Sequence, residues 1–215
     1  LVPEVYPPLE QQCSWRGHLK RYTEIAHNKG FVALSLSYGI MASISDVVFI
    51  GAVFIMQHSL NLPPHHMGHL ALLIFFGNLL GVWACRHAQT HWSSWQILNI
   101  GMLLILGISI IVFVSSWWFH ANYINVALPL LFYAFAGYFV YTDFNSLLIQ
   151  LFTDISAAYN QAFTSTLLPL VTAIETLIWS LFLHHQTVTP LAGMLMVMIV
   201  MSYSLMRWVK YLKQL

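Results

Sequence analysis

The runs ILGISIIVFV at residues 105–114 and MLMVMIVM at residues 194–201 decide the fold of this chain. A strand crossing lipid alternates apolar and polar side chains with period two, and neither run does so. Only helices and closed barrels cross a bilayer, because every backbone N–H and C=O must be satisfied internally. The two runs therefore belong to membrane-spanning helices. Working outward from them, the same character recurs in six stretches, at 31–57, 66–86, 95–118, 123–146, 157–183 and 189–210. Each reaches the ~20 helical residues that a hydrocarbon core about 30 Å thick requires. Composition agrees: 59% of residues are hydrophobic and 7% charged, against about 25% charged in soluble domains.

The cations are sorted by side. Arg16, Lys20, Arg21 and Lys29 precede the first stretch, Arg86 closes the second, and Arg207, Lys210 and Lys213 close the last. The alternate connections, 58–65, 119–122 and 184–188, hold no Lys or Arg. Short loops rich in Lys and Arg stay cytoplasmic, so the expectation is six spans with both ends inside. A net charge of +1 sorted in this way gives no basic face for nucleic acid. Residues 1–30 read as a cytoplasmic linker and 31–215 as the bundle. Within the linker, Trp15, Leu19, Tyr22 and Ala26 recur at helical spacing, which predicts an amphipathic helix along the lipid surface. The Pro-rich start resembles no signal peptide, and the opening Leu1 suggests a processed or partial product. Cys13 and Cys85 both fall on the cytoplasmic side and read as small apolar fillers. Trp92, Trp95, Trp117, Trp118 and Trp208 read as interface anchors, and Gly77 and Gly81 as a close-packing pair.

An ionisable group inside a span costs at least ~2.5–3.5 kcal/mol on insertion scales and asks for a reason. Asp46 sits mid-span with Ser35, Gly39 and Ser43 on its face, a set expected to look into the bundle or a wet cavity. Glu175 lies inside the fifth span, above a polar stripe of Thr172, Thr164 and Gln161. Carboxyls so placed suit reversible proton binding, and the central position ranks Asp46 first. Asp143 and Asp154 bracket a cytoplasmic connection and are expected to be solvated; alternatively Asp143 with Asn145 marks a mouth of a pathway. Seven of the eleven histidines, His58, His65, His66, His69, His120, His184 and His185, fall on the outer side. The spacing of His65, His66 and His69 suits one helix face, but no carboxylate or Cys completes a metal shell, so hydrogen bonding at the interface is the expectation and no metal or other cofactor is assigned. Phosphate-cradling, nucleophile-elbow and dinucleotide glycine motifs are absent from the sequence, and no catalytic residue is assigned.

Three segments carry a resemblance. Val2-Pro3-Glu4 followed by a basic linker and Lys29-Gly30-Phe31, the loop Gln57-His-Ser-Leu-Asn-Leu-Pro-Pro-His-His-Met-Gly68, and Ser156-Ala-Ala-Tyr-Asn-Gln-Ala-Phe163 resemble, in this order, parts of Bcr/CflA-type drug–proton antiporters of the major facilitator superfamily. The matching parts are the carboxyl-terminal half, helices seven to twelve, of a twelve-helix transporter. The resemblance implies half of a major-facilitator-type bundle in a bacterial inner membrane. It implies proton-coupled export of small amphipathic compounds, with the first and fourth spans lining the cavity through Asp46, Tyr38, Tyr133, Phe135 and Tyr138. The partners implied are the small-molecule substrate, protons, the bilayer, and either an amino-terminal six-helix half or a parallel homodimer mate. Other readings stay open: a non-transporting remnant or assembly subunit, and a membrane enzyme built on the outer histidines.

Overall fold

The computed structural model describes residues 15–58, 60–63, 65–118, 122–153, 155, 157–182 and 188–213. Among the described residues seven helices follow one another: α1 (Trp15–His27), α2 (Lys29–His58), α3 (His65–Ala88), α4 (Ser94–Trp118), α5 (Tyr123–Leu151), α6 (Ala157–Phe182) and α7 (Val188–Lys213). No strand occurs among the described residues. Helices α2 to α7 are each long and apolar enough to cross a membrane. The chain is an all-α integral membrane protein with six spans.

Local chemistry sets the helix starts. Asn28 follows α1 and accepts the Phe31 N–H at 3.2 Å on its side-chain oxygen, capping α2. Ser93 precedes α4, and its backbone N–H donates to Gln96 Oε1 at 2.9 Å, the reciprocal bond of a capping box. Asn122 caps α5 by accepting from the Asn125 N–H at 2.8 Å. Between α2 and α3 the chain turns at Asn61, whose φ of 49° is in the left-handed region that Asn tolerates better than most residues. The basic ends of the helices meet on one side of the bundle. Lys210 of α7 lies 5.9 Å over the Trp95 ring of α4, and Arg21 of α1 lies 5.7 Å over the Tyr159 ring of α6.

Helix pairing has an internal order. The extensive contacts are α2 with α5, α6 and α7, α5 with α3 and α4, and α4 with α7. Exchanging α2, α3, α4 with α5, α6, α7 maps this set onto itself: α3–α5 becomes α6–α2, α4–α5 becomes α7–α2, and the α2–α5 and α4–α7 pairs become themselves. Equivalent helices are three places apart in a series of alternating direction, so the second unit of three runs opposite to the first. Helix α2 is the most enclosed span, with 65% of its apolar window buried, against 22% for α3 and for α6.

Lipid offers no hydrophobic drive to bring apolar helices together, so small residues and hydroxyls do the specifying. A Cβ on Gly77 would come 2.5 Å from the Leu131 carbonyl oxygen, and one on Gly81 2.7 Å from Tyr138 Cβ, so α3 lies against the backbone of α5. Gly101 gives α4 the same closeness to Phe139 and Val140 of α5. Hydroxyls clasp the remaining seams. Ser37 and Ser202 donate to each other's carbonyls at 2.9 and 3.0 Å across α2 and α7. Ser109 and the Tyr133 hydroxyl meet at 2.8 Å across α4 and α5, and Ser116 and Thr189 at 2.7 Å across α4 and α7.

Candidate functional site

Two carboxyl groups are enclosed, one in each of two equivalent seams. Glu175 of α6 is 6% exposed and is hydrogen-bonded through Oε2 to the Ser43 hydroxyl of α2. Ser43 Oγ also lies 2.9 Å from the Ile40 carbonyl oxygen one turn back. A hydroxyl owns one proton, so it cannot donate to both. If Ser43 donates to Ile40, the proton in the Glu175 contact must come from the carboxylic acid. If Glu175 is ionised, Ser43 must turn its proton to the carboxylate and release Ile40. The contact therefore exists in two arrangements that differ by one proton on Glu175.

Asp46 stands three residues beyond Ser43 on α2, in the neighbourhood of Glu175. Its side chain is exposed on the bundle surface, while Ser35, Gly39 and Ser43 are buried. Of the two expected surroundings, the bundle interior thus holds for Ser35, Gly39 and Ser43 and not for Asp46. An α-helix advances 100° per residue, so Asp46 points about 60° away from Ser43, between the directions of Ser35 and Gly39; at its height on α2 that direction is uncovered. The polar stripe below Glu175 is partly internal. Thr164 is buried and donates to the Asn160 carbonyl at 2.9 Å, Thr172 donates to that of Leu168 at 3.0 Å, and Gln161 is exposed.

Asp143 is fully enclosed, with 0% exposure, in the α3–α5 seam. The Cys85 thiol lies 3.6 Å from its Oδ2, Ser94 and Gln89 stand nearby, and Oδ1 has no hydrogen-bond partner. The expectation of a solvated Asp143 is thus corrected: α5 runs to Leu151 rather than 146, which draws Asp143 two turns inside the helix and under α3. Asp154 lies outside the described residues. Asn145 is half-buried and donates to the Tyr38 hydroxyl at 3.4 Å, tying α5 to α2. Sequence reasoning missed Cys85 as a neighbour of Asp143. The signal was present, because Cys85 continues the Gly77 and Gly81 row at a spacing of four.

The aromatic residues expected around one cavity are distributed over several seams. Tyr38 packs on Tyr141 and Phe144 of α5 at 5.5 and 5.8 Å between ring centres. Tyr133 is tied to α4 through Ser109, while Phe135 and the half-buried Tyr138 pack against Cys85, Ala88, Ile97 and Phe139. A cavity of about 30 Å³, room for one water, lies among α2, α4, α5 and α7; of the expected residues only Tyr133 lines it. Near the opposite end from the cations, the rings of His65, His66 and His69 lie 4.4 to 6.4 Å apart, and His66 also packs on Tyr123. Among the described residues no group of three or more His, Cys, Asp or Glu is placed to hold a metal ion. Cys13, His120, His184, His185 and the segments Val2-Pro3-Glu4 and Ser156 lie outside the described residues. Neither a family model nor a curated protein matches this chain.

Proposed function

We propose that the chain is one half of a proton-coupled secondary transporter, with Glu175 as the group that carries the proton. The observation that carries this reading is the pairing pattern that returns to itself when the first three spans are exchanged with the last three. Inverted units of three helices are how each six-helix half of a major-facilitator transporter is built, with the substrate site near the midplane between two halves. The resemblance of Lys29-Gly30-Phe31 and the 57–68 loop to Bcr/CflA-type antiporters points the same way, to efflux of small amphipathic compounds across a bacterial inner membrane with both ends of the chain cytoplasmic.

Two placements fit a half rather than a complete pathway. Asp46 is mid-span yet exposed, a costly position against acyl chains, so it belongs to a face covered by a second unit or by water. Tyr141 of α5 is exposed too, beside Tyr38 of α2. The α2–α5 side is then the wall that a second half, or a parallel second copy, would complete. Glu175 stands one layer behind that wall, against Ser43. Proton loss there changes what holds α6 to α2, which links a proton to helix packing next to the proposed substrate face.

Everted membrane vesicles test the reading. The chain is expressed alone and together with the coding segment that adjoins it, and an acridine dye follows the proton gradient while ethidium or tetraphenylphosphonium is added. Substrate-dependent proton movement should occur in the paired vesicles, vanish with Glu175→Gln and be absent from the chain alone. If neither preparation moves protons with either cation, or if Glu175→Gln keeps full coupling, the proposal fails.

A further inference from the structure

Helix α3 has one buried and one exposed side. Gly77, Gly81, Cys85 and Ala88 make its buried face. On the other side Leu72, Phe76, Leu79, Trp83, Arg86 and Thr90 follow at steps of three and four and form a single exposed row. Trp83 is 73% exposed. At the basic end the row opens into a shallow cleft of about 650 Å³ between Leu79, Leu80 and Trp83 on one side and Arg86, His87 and Thr90 on the other. No carboxylate lines it. The Trp83 indole is parallel to the His87 ring within 9°, with ring centres 6.4 Å apart. Thr90 Oγ1 donates to the His87 carbonyl at 2.7 Å.

Read along the helix, the row changes from aliphatic to indole to cation, which is the order of acyl chain, ester region and phosphate in a phospholipid. Tryptophan marks the depth of the headgroups, and basic pockets at that depth hold anionic lipid heads. Arg86 differs from Arg21, Arg207 and Lys210, which each lie over an aromatic ring. Arg207 lies 5.4 Å over the Tyr203 ring and Lys210 lies over Trp95, whereas Arg86 borders an open cleft with a planar guanidinium suited to a phosphate. We infer that the cleft on the outer face of α3 holds one phospholipid with an anionic headgroup, its phosphate on Arg86 and His87 and its chains along Leu79, Leu80 and Trp83.

Native mass spectrometry of the full purified chain tests this with phosphatidylglycerol, phosphatidylcholine of the same acyl chains, and inorganic phosphate. The wild-type chain should retain one phosphatidylglycerol in preference to phosphatidylcholine, and inorganic phosphate should not displace it. Arg86→Gln should lower that retention about fivefold, the size expected for one interfacial cation. Arg207→Gln, which removes the same charge from the same end of the bundle, should leave retention unchanged. Equal retention of the two lipids, an unaltered Arg86→Gln variant, an equal loss with Arg207→Gln, or displacement by phosphate would each overturn the inference.

Discussion

The α3–α5 and α2–α6 seams occupy equivalent places in the two three-helix units, yet they are built from opposite materials. In the first, Gly77 and Gly81 bring α3 onto the backbone of α5. In the second, Gly39 of α2 meets only the side chain of Val171 on α6, at 3.3 Å from a would-be Cβ, and the polar contact is a carboxyl on a hydroxyl. Backbone contact has one geometry, whereas a carboxyl–hydroxyl contact has two, distinguished by a proton. The same topology can thus hold one seam fixed and leave the other responsive. Each seam also encloses one acid: the contact across α3–α5 is a thiol on Asp143, a weak donor, with Ser94 and Gln89 nearby, and the contact across α2–α6 is a hydroxyl on Glu175 that can reverse its bond.

Glycine substitutions should expose this contrast most strongly. A Cβ at Gly77 meets a backbone oxygen, which cannot rotate away, so Gly77→Ala should lower stability by about 3 kcal/mol, near the upper end for overpacking. Gly39→Ala meets the end of a valine and should cost under about 1 kcal/mol. Thermal melts of the two variants in detergent measure the difference. Equal losses would mean that the two seams are alike after all.

A smaller effect separates the two acids. Ser43→Ala leaves an enclosed carboxyl without its partner and should cost about 1–3 kcal/mol. Cys85→Ala removes a weak donor from an acid that already has one oxygen unpaired, and should cost under about 1 kcal/mol. Melting should also report the proton directly. The change in melting temperature between mildly acidic and mildly alkaline buffer should shrink in Ser43→Ala and stay as in the wild-type chain for Cys85→Ala. The reverse pattern would move the responsive seam to α3–α5.

The sequence was most legible where lipid itself sets the rule. Span number and position follow from bilayer thickness, and five of the six spans end within a turn of where their apolar run stops; α5 alone continues, through polar Gln150 to Leu151. The facing of each helix was far less legible. In a soluble helix the polar side marks water, but lipid is as apolar as a core, and a span such as α4 is apolar all round. Only glycines, hydroxyls and acids then label a face, and a single label is ambiguous. Gly77 and Gly81 pointed correctly to a close contact without naming α5 as its other side. Asp46 shares a row with Ser35, Gly39 and Ser43 and points between the directions of Ser35 and Gly39, so its exposure is set by what covers α2 at its own height and not by its place in the row. Pairing of distant helices decided which acid met which hydroxyl, and no spacing within one span contains that information.

The difference between these two neighbours on α2 supplies the gentlest way to sharpen the comparison. Ser43 and Asp46 are less than one turn apart, yet one faces α6 and the other the open side of α2. Asp46→Cys should change stability by no more than about 0.5 kcal/mol, as for an exposed position. Labelling, rather than melting, then carries the result, because maleimides react with the thiolate, which forms only where water reaches. In intact membranes a membrane-impermeant maleimide should label Asp46→Cys well above the unsubstituted chain, and Ser43→Cys should stay protected by its place against Glu175. Labelling of Asp46→Cys means that the α2 face next to the responsive seam is wet, as a substrate pathway requires. If Asp46→Cys resists the reagent in membranes but reacts in detergent, lipid or a close partner covers that face. The α2–α6 seam would then respond to protons with no aqueous route beside it, and the link from Glu175 to transport would be broken.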